Sequence, residues 1–245
     1  IRVQFLYNQS ILKKKIFKYN FYKKKFKNFK KKIYLIVNKN TLYVSDNLGY
    51  LYAINLKNKS LVWAKNYGIP FRSNLKFVNE QIFLVNQDNT IYSINAKNGA
   101  QNWQFQTTPT FLKSDFQNSI ALDVINNNFF LYNTSGELYS ISYEKKNINW
   151  VINFKKRTLT GDSDLFLGKP LIIKNNYLIV STEKSILSYK SENGSKNWSF
   201  ATSPALKPIA TSNYIYLITK NELLICLNQD SGEVIWSKSI LKILQ

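Results

Sequence analysis

Histidine and methionine are absent from this 245-residue chain, cysteine occurs once, and glycine and proline are sparse at eight and five. Without histidine, no Ser-His-Asp or Cys-His nucleophile and no Cys/His metal cluster can be assembled. The lone Cys226 excludes an internal disulfide, and the few glycines form no phosphate-cradling loop. Acidic residues number 14 and scatter mostly through turns; the closest pair, Asp162 and Asp164, lacks the further oxygen-rich ligands of a Ca²⁺ loop. No apolar run reaches the roughly 18–20 residues that a membrane-spanning helix needs, and no signal peptide opens the chain. The absence of methionine leads us to expect a processed product or a fragment.

Basic residues, by contrast, number 34, for a net charge of +20. A Lys-rich surface can bind phosphate nonspecifically, but the excess is concentrated. Residues 1–32 hold Arg2, eleven lysines and no acid, which leaves 22 basic and 14 acidic residues over the rest. In that segment Lys13–Lys15, Lys23–Lys25 and Lys30–Lys32 interleave with aromatics. Phe17, Tyr19 and Phe21 alternate as on a strand, whereas Tyr22, Phe26, Phe29 and Ile33 have helical spacing. Anionic headgroups, RNA, or simple solvation of a blade edge in a Lys/Asn-rich composition are the readings it leaves. With most of the excess in that one segment and a net of only +8 over the remaining chain, nucleic acid is not expected as a partner.

What the chain has in plenty is a period. Trp63, Trp103, Trp150, Trp198 and Trp236 stand 40, 47, 48 and 38 residues apart. Ten residues before each is a small residue (Ala53, Ser93, Ser140, Ser188, Cys226), and twenty before is Tyr43, Phe83, Phe130, Leu178 or Tyr216. Four before, three copies carry Gly99, Gly194 and Gly232, and two carry Lys59 and Lys146. Strand-length apolar runs, such as Ile33–Val37, Leu75–Val78, Ile120–Ile125, Leu171–Lys174 and Lys207–Thr211, precede each hairpin pattern, and turn residues separate the runs. Four strands per repeat of roughly 40–50 residues make a propeller blade. The tryptophans are then core residues of the seams between blades, and the small residue leaves room for the ring. Cys226 is a buried filler at that small position.

The expected fold is therefore all-β: a β-propeller of four-stranded antiparallel blades, about five complete, in one domain. Residues 1–32 would be a Lys-rich remnant of a preceding blade, with blades at 33–69, 70–109, 110–157, 158–204 and 205–245. At about 43 residues per blade the chain holds fewer than six, so it is expected to be part of a seven- or eight-bladed ring.

The spacing that runs small residue, Asp/Asn, Gly, Trp resembles the repeat of the PQQ-like, or quinoprotein-type, β-propellers. Ala53, Asn55 and Trp63 show it, as do Ser93, Asn95, Gly99 and Trp103, and Cys226, Asn228, Gly232 and Trp236; Ser142 and Lys190 depart from it. The WD40 signature is absent. Within the group, Pro70-Phe71-Arg72-Ser73-Asn74-Leu75 resembles the β-propeller lipoprotein family of the outer-membrane protein assembly (BAM) machinery.

That resemblance implies a non-catalytic scaffold on the periplasmic face of a Gram-negative outer membrane, with a lipid anchor upstream. Its partner would be the barrel-inserting subunit of the machinery, without a cofactor or a small-molecule substrate. Leu112 and Lys113 would take the family's Leu-basic pair on one inter-blade loop, and Asp162 and Asp164 the acidic half of the patch on the next. Phe71, Arg72 and Phe111 complete the candidate contact residues, with Phe71, Phe111 and Leu112 as apolar loop tips. The alternative within the same repeat is a PQQ-dependent dehydrogenase, whose long insertions, Ca²⁺ ligands and catalytic Asp are not visible here.

Overall fold

The computed structural model describes residues 2–3, 17–18, 32–109, 117–154, 170–182 and 184–240. All regular structure among them is β. β1 (Arg2–Val3) and β2 (Phe17–Lys18) pair antiparallel. Twenty further strands form five four-stranded antiparallel sheets, each a simple meander. The first holds β3 (Ile33–Asn38), β4 (Thr41–Asp46), β5 (Tyr50–Asn55) and β6 (Leu61–Asn66). The second holds β7 (Lys76–Val78), β8 (Gln81–Val85), β9 (Thr90–Asn95) and β10 (Gln101–Gln106). The third holds β11 (Ser119–Asp123), β12 (Asn128–Tyr132), β13 (Glu137–Ser142) and β14 (Asn147–Asn153). β15 (Leu171–Lys174) to β18 (Lys196–Phe200), through β16 (Tyr177–Ser181) and β17 (Ile186–Lys190), make the fourth. The fifth is β19 (Ile209–Ala210), β20 (Tyr214–Ile218), β21 (Leu223–Asn228) and β22 (Val234–Ser239).

Each sheet is held by the repeat residues themselves. The small residue is the direct cross-strand partner of the tryptophan in all five blades, Ala53 opposite Trp63 through Cys226 opposite Trp236. On its other side stands a large residue: Tyr43, Phe83, Phe130 and Tyr216. Large, small and large thus alternate across the sheet, and the outer rings approach over the small residue at centroid distances of 5.8–6.2 Å. In the fourth blade the residue opposite Ser188 is Ile179, not Leu178. The β16–β17 turn is one residue shorter there, which shifts the register by one.

Burial follows position in the blade. In the first three blades the middle strands are almost wholly buried and the fourth strands mostly exposed, whereas β20 and β21 of the fifth blade are only part-buried. First strands of neighbouring blades approach one another, β3 to β7, β7 to β11 and β11 to β15, which places them on the inner side of the arc. Four apolar clusters fill the seams between successive blades. A fifth, of Leu42, Val44, Tyr52 and Ile54, lies on the opposite face of the first blade. Each large side chain buried at such a seam contributes on the order of 1.5–3 kcal/mol.

A directional lock joins the blades. The Trp63 indole N–H donates to Ala96 O at 2.9 Å, Trp150 to Ser191 O at 3.1 Å, and Trp198 to Gln229 O at 2.8 Å. In each case the acceptor lies in the turn between the third and fourth strands of the next blade. Gly99, Gly194 and Gly232 sit in those turns with φ of 70–74°, and a Cβ there would come within 2.5–2.8 Å of the indole. Lys59 and Lys146 occupy the same position with equally left-handed φ, 59° and 58°. Trp103 faces the Lys146 turn, and among the described residues its N–H finds no acceptor. The Trp103 ring lies 5.8 Å from Phe83, which in turn meets Tyr143 at 5.4 Å, all in the seam between the second and third blades.

Candidate partner-binding face

The candidate loops lie between blades, where each chain segment leaves one fourth strand and enters the next first strand. Asn66 opens the first of them by accepting the Gly68 N–H at its side-chain oxygen, 2.8 Å away. The chain then turns inward. Phe71 is fully buried, edge-on to Tyr67 and Tyr92 at 5.6 and 5.9 Å, and belongs to the seam between the first two blades. It is a core residue, and the expectation of an apolar loop tip at Phe71 is corrected. Arg72 is 8% exposed; its N–H donates to Val85 O at 2.9 Å and its carbonyl accepts the Asn118 N–H at 2.7 Å. The segment is a staple between blades, with the guanidinium packed inside rather than offered to solvent. Phe111, Leu112, Lys113, Asp162 and Asp164 lie outside the described residues, as does most of the Lys-rich segment.

The described part of the second inter-blade segment has a firm base. Thr107 Oγ1 donates to Asn89 O at 2.8 Å, and Asn89 Nδ2 donates to Thr108 O at 3.0 Å. Asn89 Oδ1 accepts from Thr134 Oγ1 at 2.9 Å, while Thr134 N–H donates to Asn118 Oδ1 and Asn118 Nδ2 to Asn86 O. Ser73 and Asn118 add a parallel bridge across the same seam. These amides tie the second blade to the third, at the joint where Trp103 makes no indole bond.

A second repeat signal was not read from sequence. At the turn between the second and third strands, Asp46, Asn86 and Asn133 each accept two turn N–H groups at one side-chain oxygen, 2.9–3.1 Å away. The Thr182 hydroxyl likewise accepts two, from Lys184 and Ser185 at 3.3 and 3.0 Å, and the Thr219 hydroxyl accepts one, from Leu223 at 3.2 Å. An Asx or Ser/Thr residue ending every second strand was the signal that could have revealed it.

Burial sets the titration of the seam tyrosines. Tyr67 donates to Gly99 O at 2.8 Å, and burial, with Tyr92 nearby, pushes its phenol up to about 12. On the inner strand β7, burial pulls the Lys76 ammonium below its ordinary value, and Lys207 adds repulsion.

Among the described residues no three His, Cys, Asp or Glu side chains converge as a metal site. They do not fit the Ca²⁺ carboxylate set of a dehydrogenase-type propeller. No helix among them is long and apolar enough to cross a membrane.

Four-stranded meanders joined by Trp-to-turn locks define a PQQ-like β-propeller. A family profile described as "Outer membrane protein assembly factor BamB" matches residues 24–238, and the chain belongs to that family. Among solved structures it is similar to BamB from Moraxella catarrhalis (TM-score 0.67, 13% identity), covering 82% of this chain and 61% of that one. It is also similar to quinohemoprotein alcohol dehydrogenase from Comamonas testosteroni (TM-score 0.64, 12% identity), with 84% of this chain and 42% of that one covered. A europium-containing methanol dehydrogenase gives TM-score 0.67 at 11% identity, over 84% and 50%. These likenesses show the fold, and the chain spans less than two thirds of each structure. Among curated proteins no sequence matches.

Proposed function

We propose that this chain is a non-catalytic propeller scaffold that assists assembly of outer-membrane β-barrels from the periplasmic side, holding the barrel-inserting subunit through its inter-blade loops. The observation that carries the reading is the family match over residues 24–238. The packing supports it. Seams filled by aromatic side chains, and inter-blade segments pinned at Phe71, Arg72 and Thr107, make a rigid frame from which loops can present side chains without losing much entropy on binding. Leu112, Lys113, Asp162 and Asp164 remain the contact residues of this reading; Phe71 and Arg72 act by holding the frame.

The test is a crosslinked pull-down of the protein from envelope membranes, identified by mass spectrometry. Recovery of the barrel-inserting subunit is expected, with a clear loss on Leu112→Ala/Lys113→Ala at unchanged thermal stability. Reproducible absence of that subunit overturns the assembly role. Binding unaffected by the double substitution removes that loop from it.

A further inference from the structure

The hairpin between β11 and β12 is built unlike its counterparts. In the first, second and fourth blades the chain reverses through two polar residues: Lys39 and Asn40, Asn79 and Glu80, Asn175 and Asn176. Four residues, Val124 to Asn127, make the turn in the third blade, and the first two are apolar. Ile125 is 90% exposed and Val124 53%. Single exposed apolar residues are ordinary on protein surfaces; an adjacent pair held out on a fixed turn is not explained that way.

The turn is fixed from both sides. Asp123 ends β11 by accepting the Ile125 and Asn126 N–H groups at 3.1 and 3.2 Å and Asn126 Nδ2 at 2.8 Å. Asn127 accepts the Tyr143 N–H at its carbonyl and the Tyr143 hydroxyl at Oδ1, 3.1 and 2.8 Å away. Asn126 Nδ2 also reaches Asn176 Oδ1 of the next blade at 3.3 Å. The tip is therefore ordered by polar bonds at its base and cannot fold its apolar end back onto the blade.

In a four-stranded meander the first and third turns emerge at the same end, so Val124 and Ile125 share a face with the turns between third and fourth strands. On the first three blades those turns carry Lys39, Lys57, Lys59, Lys97, Lys145 and Lys146 against Glu80 and Glu144. Glu80 is already engaged by Lys97 at 2.7 Å. On the fourth blade the turns carry Glu192, but the exposed strand ends beside them carry Lys174, Lys190 and Lys196; only the fifth blade, with Asp230 and Glu233, is acidic at this end without a lysine. The positive charge thus spans the first four blades on both sides of the apolar tip and stops at the fifth. An apolar pocket on a protein would have no use for these lysines, whereas an apolar anchor beside several cations matches the two signals that peripheral attachment to a charged bilayer requires.

The geometry points to a lipid contact: Val124 and Ile125 insert among the headgroups of an anionic bilayer while the lysines of the first four blades lie against its surface. The arc meets the membrane tilted, with the acidic turns of the fifth blade lifted away.

Co-sedimentation of the full chain with phosphatidylcholine vesicles, with and without phosphatidylglycerol, tests this. Binding is expected only with phosphatidylglycerol and falls with salt. Val124→Asp/Ile125→Asp should lower the partition coefficient by on the order of tenfold or more. Lys145→Glu/Lys146→Glu should lower it too and flatten the salt dependence. Circular dichroism melts of both variants should match the parent, since every altered side chain is on a turn and Asp123 is kept. As an independent reading, a polarity-sensitive fluorophore on Ile125→Cys, in a Cys226→Ser background, should shift to the blue on anionic vesicles. No vesicle binding by the parent overturns the contact, as an apolar protein pocket would then be left as occupant. So does full binding by the Val124/Ile125 variant with complete loss on replacing Lys13–Lys15, Lys23–Lys25 and Lys30–Lys32 by Ser. No protein partner is present in the assay, so its failure leaves the assembly role untouched.

Discussion

Replacing Gly232 by alanine probes the lock between the last two blades at a single atom. The new Cβ would stand 2.5, 2.7 and 2.8 Å from Trp198 Cδ2, Cε3 and Cγ, closer than any carbon contact tolerates. Three costs combine. Holding a residue with a Cβ at φ 74° costs about 1–2 kcal/mol. Displacing a well-packed ring costs about 1–3 kcal/mol, and breaking the 2.8 Å bond from Trp198 to Gln229 O leaves buried polar groups worth about 1–3 kcal/mol. Reduced freedom of the unfolded chain offsets about 0.4–1 kcal/mol. A net loss of about 2–8 kcal/mol is expected, which for a chain this long lowers the melting temperature by on the order of 5–30 °C. Gly68 supplies the control: it has φ 80° but nothing within 4 Å of its would-be Cβ. Gly68→Ala therefore carries only the backbone cost less the same offset, a fall of at most about 6 °C. Thermal melts followed by circular dichroism and by tryptophan emission would compare the two. Equal shifts would refute the stacking account, because backbone strain alone would then explain both.

Trp198→Ala, at an indole only 8% exposed, should cost about 3–5 kcal/mol by chemical denaturation; Trp236→Ala, at 36% exposure and with no indole acceptor among the described residues, should cost clearly less. Lys146→Gly should relieve about 1–2 kcal/mol of left-handed strain and raise the melting temperature, while lowering it would contradict the glycine-like role of that position. Tyr67 is held neutral by burial, with its folded value raised to about 12 from an ordinary 10.0. Its contribution is complete below pH 10 and fades as pH rises through 12, so Tyr67→Phe should lose less stability than the parent across that window in pH-stepped melts.

Much of the architecture could be read from local sequence because each blade repeats the same short-range constraint. A tryptophan needs a small cross-strand neighbour and a left-handed turn to stack on, and all three recur at fixed spacing. Even the departures were visible: Lys146 in glycine's place marks the joint where Trp103 makes no bond. What failed were judgements that depend on distant residues. Phe71 sits between blades next to Pro70, which reads as an exposed connection, but Tyr92, two strands later, closes over it. Ile120–Ile125 reads as one apolar strand; the Asp123 carboxylate captures the following N–H groups and ends the strand at that point, leaving Val124 and Ile125 in the turn. For the candidate contacts, a Leu-Lys or Asp-x-Asp pair is too short to carry a role through spacing alone, so Leu112, Lys113, Asp162 and Asp164 were legible only through a family resemblance.

Because each lock runs from the last strand of one blade to a turn of the following one, neighbouring blades overlap as shingles do. A pull on the outer strand of one blade is borne by the backbone of the next, and shear along the arc passes forward from joint to joint. Where the overlap is missing, between the second and third blades, Asn89 and Asn118 carry the load instead. Those amides are themselves buried, so the load at this joint passes through polar bonds shielded from solvent. The second and third blades are thus joined by side-chain amides where the other locks use an indole.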